Sequence, residues 1–291
     1  MEKVFVIKAD EYRQSLRRVF EGLNLKGCFR GTSVFIKPNW VSSSPDLLTT
    51  SPELIKQLVE LVRDLGASEV LVGENPTIGL KSNILYEQMG IRESIIQSGG
   101  KLIMLDEEPH AVVHVVTDYF QGDLPLPKVV LDSDYFINVP VAKTHGQAVL
   151  SLGIKNLIGL LPDHAKERNH LEDLHGKAAA ILQVSPPKLT IIDGLVAGEG
   201  QGPAMCDKVK WNTLIAGENV VAVDAVAATC MGYQPLEIPA MRIAQAEGFG
   251  PADLGNIEVL GDGIGAVQRT FKRAIASPVG RYSIPVILAG C

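Results

Sequence analysis

Val34-Phe-Ile36 runs directly into Lys37-Pro38-Asn39, and the same figure returns three times along the chain. Val70-Leu-Val72 leads into Gly73-Glu74-Asn75, Phe136-Ile-Asn-Val139 through Pro140 into Lys143-Thr144-His145, and Leu189–Ile192 into Asp193-Gly194. Each short apolar run reads as a buried strand, because β-branched and aromatic residues fit the pleated surface. Open parallel sheets gather ligands beyond the carboxyl ends of their strands. Turn chemistry alone favours Gly, Asn, Asp and Pro at such ends. Two lysines and a histidine are not turn formers, so the four ends read as parts of one site.

Between these strands lie helical patterns, which sets the fold class as α/β, a mostly parallel sheet flanked by helices. Further strands are expected at Val4–Ile7, Glu69–Val72, Leu102–Leu105, Ala111–Val116 and Ile257–Leu260. After Ser51-Pro52-Glu53, Leu54, Ile55, Leu58, Val59, Leu61 and Val62 form one broad apolar face of a helix. Ser51 is placed to cap it, Pro52 suits its first turn, and Gly66 suits its end. Tyr12–Phe20, Gly176–Leu182, Val220–Met231 and Pro239–Glu247 are the other expected helices. The segments 41–51, 73–83, 140–172 and 194–210 read as long turn-rich loops, a length usually tied to function. With 291 residues, the chain is expected to form one domain over 1–291 or two intimately joined subdomains with a cleft, their boundary near 105–140. The short apolar stretch Ile284–Ala289 is compatible with a last strand or with an irregular end.

Thirty-three acidic against 27 basic side chains give a net charge of −6. Nucleic acid is thereby disfavoured as a partner, since its binding needs a basic field to release counterions. No stretch reaches the roughly 20 apolar residues of a membrane span, and Met1–Lys8 is too soon interrupted by charge for a secretory signal. Cys28, Cys206, Cys230 and Cys291 lie far apart, so no iron–sulfur or zinc spacing is present and a reduced, cytoplasmic protein is expected.

Polar chemistry is densest from His145 to His175, which holds His145, His164, His170 and His175 with Lys155, Lys166 and Arg168. None of these four histidines pairs at the i,i+4 spacing of H-E-x-x-H. Lys155 stands alone in an aliphatic run, Leu150 to Leu161. Such a lysine either snorkels to water or points into a polar cavity, where desolvation would lower its pKa. Neither Gly198-Glu199-Gly200-Gln201-Gly202 nor Gly261-Asp-Gly-Ile-Gly265 is a dinucleotide or P-loop fingerprint. The first is read as a loop that brings backbone and Glu199 against a ligand, or as a lid. No G-x-S-x-G elbow is present, and Cys206 has no local catalytic partner.

Ile36-Lys37-Pro38-Asn39-Trp40, Thr50-Ser51-Pro52, Lys143-Thr144-His145, Gly153-Ile-Lys155-Asn156-Leu-Ile-Gly159, Ile192-Asp193-Gly194 and Val223-Asp224-Ala225 occur in that order. Over nearly its whole length the chain thereby resembles the domain of unknown function 362 family. Many members of that family carry a ferredoxin-like module and an iron–sulfur label. This chain has no cysteine run for one, so no cluster is expected from it. A second, partial likeness is to nickel-dependent lactate racemases, where a histidine, a lysine that anchors a nickel-pincer cofactor and a further histidine follow a strand. His145, Lys155 and His170 have a similar layout, although the double glycine before the lysine is missing here.

The expected function is therefore that of an enzyme acting on a small anionic metabolite, a carboxylate or a phosphorylated compound, by isomerase- or lyase-like acid–base chemistry. His145, Lys155 and His170 are its catalytic candidates; Lys37, Asn39, Ser51, Lys143, Thr144 and Asn156 its substrate-binding candidates, helped by the free amides after Ser51. Glu74, Asp193 and Glu199 would balance charge or hold a divalent metal. The alternative is a non-catalytic protein that carries a cofactor or metal, or docks with a redox partner. A homodimer is common for such enzymes.

Overall fold

The computed structural model describes residues 1–44, 47–171 and 173–275, with the side chains of 168–171 outside that description. Its strands are β1 (Glu2–Lys8), β2 (Ser33–Lys37), β3 (Glu69–Glu74), β4 (Lys101–Met104), β5 (His110–Val116), β6 (Gln121–Pro127), β7 (Tyr135–Asn138), β8 (Val141–His145), β9 (Val149–Ser151), β10 (Leu189–Gln201), β11 (Met205–Gly217) and β12 (Ile257–Gly261). Its helices are α1 (Tyr12–Gly22), α2 (Pro52–Asp64), α3 (Ser82–Gln88), α4 (Arg92–Gln97), α5 (Lys128–Leu131), α6 (Gly153–Asn156), α7 (Asp163–Leu171), α8 (Leu174–Val184), α9 (Val220–Cys230), α10 (Pro239–Ala246) and α11 (Ile264–Val267). The Ile284–Ala289 stretch lies outside the described residues.

Ten strands make one sheet in the order β12-β1-β11-β10-β7-β2-β3-β4, with β8 paired to β10 and to β9. Only β11 and β9 run against the rest, so the sheet is mostly parallel, as the sequence pattern implies. Strand alternation divides the core into two layers. Val34, Ile36, Val70, Val72 and Ile137 face α1 and α2, whereas Phe35, Leu71 and Phe136 face the α8–α9 side. α2 buries Leu54, Ile55, Leu58, Val59 and Val62 against the first layer. Each such side chain contributes about 1.5–3 kcal/mol relative to exposure. Gly66 follows its C-cap at φ 98°, a left-handed conformation that costs glycine little.

Two of the expected loops prove otherwise. Residues 194–210 form most of a long antiparallel hairpin, since β10 continues to Gln201 and β11 starts at Met205. The glycines there serve packing: a Cβ at Gly198 would sit 2.6 Å from Cys206 Sγ and 3.0 Å from Lys143 Cβ. The glycine-rich stretch is thus the paired end of a strand rather than a free loop. The 140–172 segment holds β8, β9, α6 and α7. β5 and β6 pair as a separate two-stranded ribbon within 105–140.

Candidate functional site

The carboxyl ends of β2, β3 and β7 lie side by side, and the segment 153–159 crosses over them. Lys37 ends β2 with its ammonium fully buried. It donates to both Glu74 oxygens at 3.0 and 2.9 Å, to the Pro38 carbonyl at 3.0 Å and to Asn156 Oδ1 at 3.3 Å. Those acceptors saturate its three N–H groups. Glu74 also receives the Trp40 and Asn75 amides. Burial pushes the Lys37 ammonium down and the Glu74 carboxyl up from their ordinary ranges, and their mutual attraction opposes both shifts. Gly159 seals the pair: a Cβ there would overlap Glu74 Oε1 and stand 2.6 Å from Lys37 Nζ. The expectation that Lys37 meets a ligand thus gives way to an internal ion pair.

Lys143 is also buried, donating to Asn39 Oδ1 and the Leu48 carbonyl, both at 2.9 Å. Asn39 Nδ2 donates to Asn156 Oδ1 at 2.9 Å, and Asn156 Nδ2 to Asn138 Oδ1 at 2.8 Å. Thr50 joins the same wall, accepting from the Asn39 amide and donating to the Val139 carbonyl. Lys166 of α7 reaches across to the Asn75 and Pro76 carbonyls at 2.6 and 2.7 Å.

Lys155 differs from these three. Its backbone is held by α6, whose first amides, Gly153 and Ile154, donate to the Asp224 carboxylate at 2.7 and 2.8 Å. A Cβ at Gly153 would crowd Asp224 Oδ1 and Val220 Cγ2, so the small residue lets α6 dock on α9. The half-buried Lys155 ammonium has no hydrogen-bond partner among the described residues. It points to a narrow cavity of about 10 Å³, room for one water, walled by Leu152, Ile154, Leu174 and Met241 and shared with His175 and Asp224. His175 Nδ1 is buried there with no hydrogen-bond partner among the described residues. Burial, then the nearby Lys37 charge, brings Lys155 down to about 8; Glu74 acts the other way. Burial likewise brings Lys143 to about 8 and Lys166 to about 7. Lys37, Lys143, Lys155 and Lys166 share one field whose common counter-charge is Glu74. Four lysines against one glutamate make the local charge of this network positive.

The other expected residues lie elsewhere. Asp193, buried and pushed by burial up to about 6, accepts from the Tyr12 hydroxyl at 3.1 Å and the Ser51 amide at 2.9 Å. The Ser51 side chain makes no cap bond; the free end of α2 is supplied with the protein's own carboxylate instead. Asp193 and Ser51 line a separate cleft of about 540 Å³ with Tyr12, Ser42 and Gln88. Glu199, expected at a ligand, faces Arg269 and Lys272, each at 3.6 Å, because β10 carries it to the opposite end of the hairpin. Thr144 donates to the Gly200 carbonyl and ties β8 to β10. His145 Nδ1 accepts the Gln147 and Ala148 amides at 3.1 Å, which leaves the proton of the neutral ring on Nε2. The His170 side chain lies outside the described residues. Asp224, Asn138, Lys166 and His175 were not singled out as site residues by sequence reasoning. Their signals were the polar stretch 145–175 for Lys166 and His175, the strand end Phe136–Val139 for Asn138 and Val223-Asp224-Ala225 for Asp224.

Among the described residues, no three His, Cys, Asp or Glu side chains gather as metal ligands. Glu74, Asp193 and Glu199 each answer a different set of protein donors. No helix among the described residues is long and apolar enough to cross a membrane.

Comparison with known proteins adds three relatives. The lactate racemase apoprotein of Thermoanaerobacterium thermosaccharolyticum superposes with a TM-score of 0.50 at 11% identity, covering 75% of this chain and 54% of that one. A Thermotoga maritima protein superposes with a TM-score of 0.46 at 13% identity, over 81% of this chain and 58% of that chain. This chain thus spans little more than half of either structure's length. A thylakoid-associated protein of Synechocystis is 28% identical over 252 residues, 81% of this chain and 75% of the relative. Residues 34–229, which hold every member of the lysine network, match the family described as Domain of unknown function (DUF362), and the chain belongs to that family.

Proposed function

We propose that the lysine network is the receptor for a small anion and that Lys155 is its direct contact. The observation that carries this reading is the contrast in compensation: Lys37, Lys143 and Lys166 end on protein acceptors, whereas Lys155 meets none among the described residues. A half-buried cation whose hydrogen bonds the protein does not make is open to water and to an anionic ligand, which can supply the missing counter-charge. The fold neighbour's substrate, lactate, is a small carboxylate, which agrees in chemistry with this receptor. A ligand larger than water must push a cavity wall aside, so binding includes movement of the α8 or α10 side.

The proposed activity is acid–base transformation of that anion. Lys155 would hold the carboxylate or phosphoryl oxygens; Lys143 would add field through the buried amides.

The test is calorimetric titration with formate, acetate, lactate and inorganic phosphate, on the wild type and on Lys155→Met. At least one of these anions should bind the wild type, and Lys155→Met should weaken it tenfold or more with the melting temperature held within a few degrees. Equal binding by both proteins, or none by the wild type, overturns the reading. Incubation of the bound anion in D2O, followed by NMR, then reads proton exchange at the carbon beside the carboxylate.

A further inference from the structure

Five hydrogen bonds of one sense cross the molecule beneath the site. The Lys143 ammonium donates to Asn39 Oδ1 at 2.9 Å, Asn39 Nδ2 to Asn156 Oδ1 at 2.9 Å, and Asn156 Nδ2 to Asn138 Oδ1 at 2.8 Å. Asn138 Nδ2 donates to the Gly153 carbonyl at 3.0 Å, and the N–H of that same peptide, on Ile154, donates to Asp224 Oδ2 at 2.8 Å. The run starts on a cation, ends on an anion, and every side chain in it is buried. It also brackets Lys155: Ile154 before it and Asn156 after it are both members.

We propose that Asp224 is a positioning residue for the anion site, acting through this one-way run to orient Asn138, Asn156 and Asn39, the α6 turn that bears Lys155, and the Lys143 ammonium. The role in anion binding rests on the reading above; the run itself does not.

The physical case is one of symmetry. A carboxamide can turn over and exchange its oxygen for its nitrogen with almost no change of shape. Three amides in series therefore have two self-consistent directions. The Lys143 ammonium and the Gly153 carbonyl set the sense at the two ends. Lys37 Nζ on Asn156 Oδ1 and Asn156 Nδ2 on the Pro38 carbonyl, each at 3.3 Å, favour the same one. Asp224 strengthens it by drawing on the N–H of the Gly153–Ile154 peptide. Each bond also polarises the next, strengthening it by roughly 10–30%. Flipping one amide alone would set two donors and two acceptors face to face in a dry interior, which costs far more than the bonds are worth singly. The run thus responds as a unit to loss of charge at either end.

Asp224 is the end that can change charge near neutrality, since burial pushes it up to about 7 against the two amides that hold it. At the shared cavity α6 presents Lys155, α8 presents His175, β9 presents Leu150 and α10 presents Ala240 and Met241, and β10 sets Thr190 beside the same Gly153 turn. Lys166 and His175 also titrate below their ordinary ranges, so they enter the test as controls.

The experiment is an NMR pH titration of side-chain amide resonances in asparagine-labelled, ligand-free protein. Asn138, Asn156 and Asn39 should shift with one midpoint near pH 7, the amplitude falling in that order. The transition should survive Lys166→Met and His175→Gln and vanish in Asp224→Asn. Asn138→Leu, which cuts the run but leaves Asp224 on α6, should abolish the Asn39 response and weaken anion binding at least fivefold. A flat Asn39 resonance in the wild type overturns the proposal without any variant having to fold, as does an Asn39 response that persists in Asn138→Leu. A common midpoint in a protein that binds no anion would leave the run standing and remove the receptor reading; anion binding with flat amides would do the reverse.

Discussion

Lys37 and Lys155 stand in one electrostatic field and have opposite fates. The first is fully buried, bound to both oxygens of Glu74 and closed over by Gly159. The second ends at a cavity with no protein acceptor among the described residues. Their comparison teaches that a buried cation is a ligand contact only when its hydrogen bonds remain to be made. Lys37 holds the floor of the site together; Lys155 keeps hydrogen bonds that the described residues do not make.

The largest effect that would break this contrast is at the floor. Lys37→Met leaves Glu74 buried and unpaired, and should cost about 3–5 kcal/mol of stability in urea unfolding. Pairing it with Glu74→Leu should recover most of that loss, because the unpaired charge goes too. Lys155→Met should do the reverse. Its effect falls on binding, about 1.5–3 kcal/mol of anion affinity by titration, with stability unchanged or improved. Gly159→Ala should cost about 1–3 kcal/mol, because the new methyl meets the ion pair; a thermal scan reads it directly.

A smaller effect concerns pH. Asp193 and Asp224 are raised to about 6 and about 7, so the native state binds their protons more tightly than the unfolded chain. Their contribution to stability is complete below about pH 4 and is lost as pH climbs to 7. Lys143 and Lys155 are lowered to about 8, so their contribution is complete above about pH 10.5 and is lost as pH falls through 8. Urea midpoints across pH 4–10 should show a shallow minimum between pH 7 and 8, and Lys155→Met should flatten its alkaline side. The smallest effect is a control: replacing Arg13, whose 2.6 Å bridge to Glu60 is exposed, should change stability by no more than about 0.5 kcal/mol.

Much of this was legible in the sequence. β-branched runs ending in Lys37-Pro38-Asn39, Gly73-Glu74-Asn75 and Lys143-Thr144-His145 fix parallel strands whose polar ends share one rim, because strand direction and side-chain period are local properties. Of the expected site residues, the structure links Lys143, Asn39 and Asn156 by direct hydrogen bonds. What local pattern cannot carry is compensation. Lys37 and Lys155 look alike in sequence, and only the fold sets Glu74 against one and a cavity against the other. Asp193 and Glu199 likewise read as rim carboxylates until β10 proves long enough to separate them, and Asp224 reads as one more residue of an apolar helix. The linear code specified which groups are buried near the rim; three-dimensional distance alone decided which charges cancel, since Coulomb energy and hydrogen bonding depend on separations of a few ångströms between residues far apart in the chain.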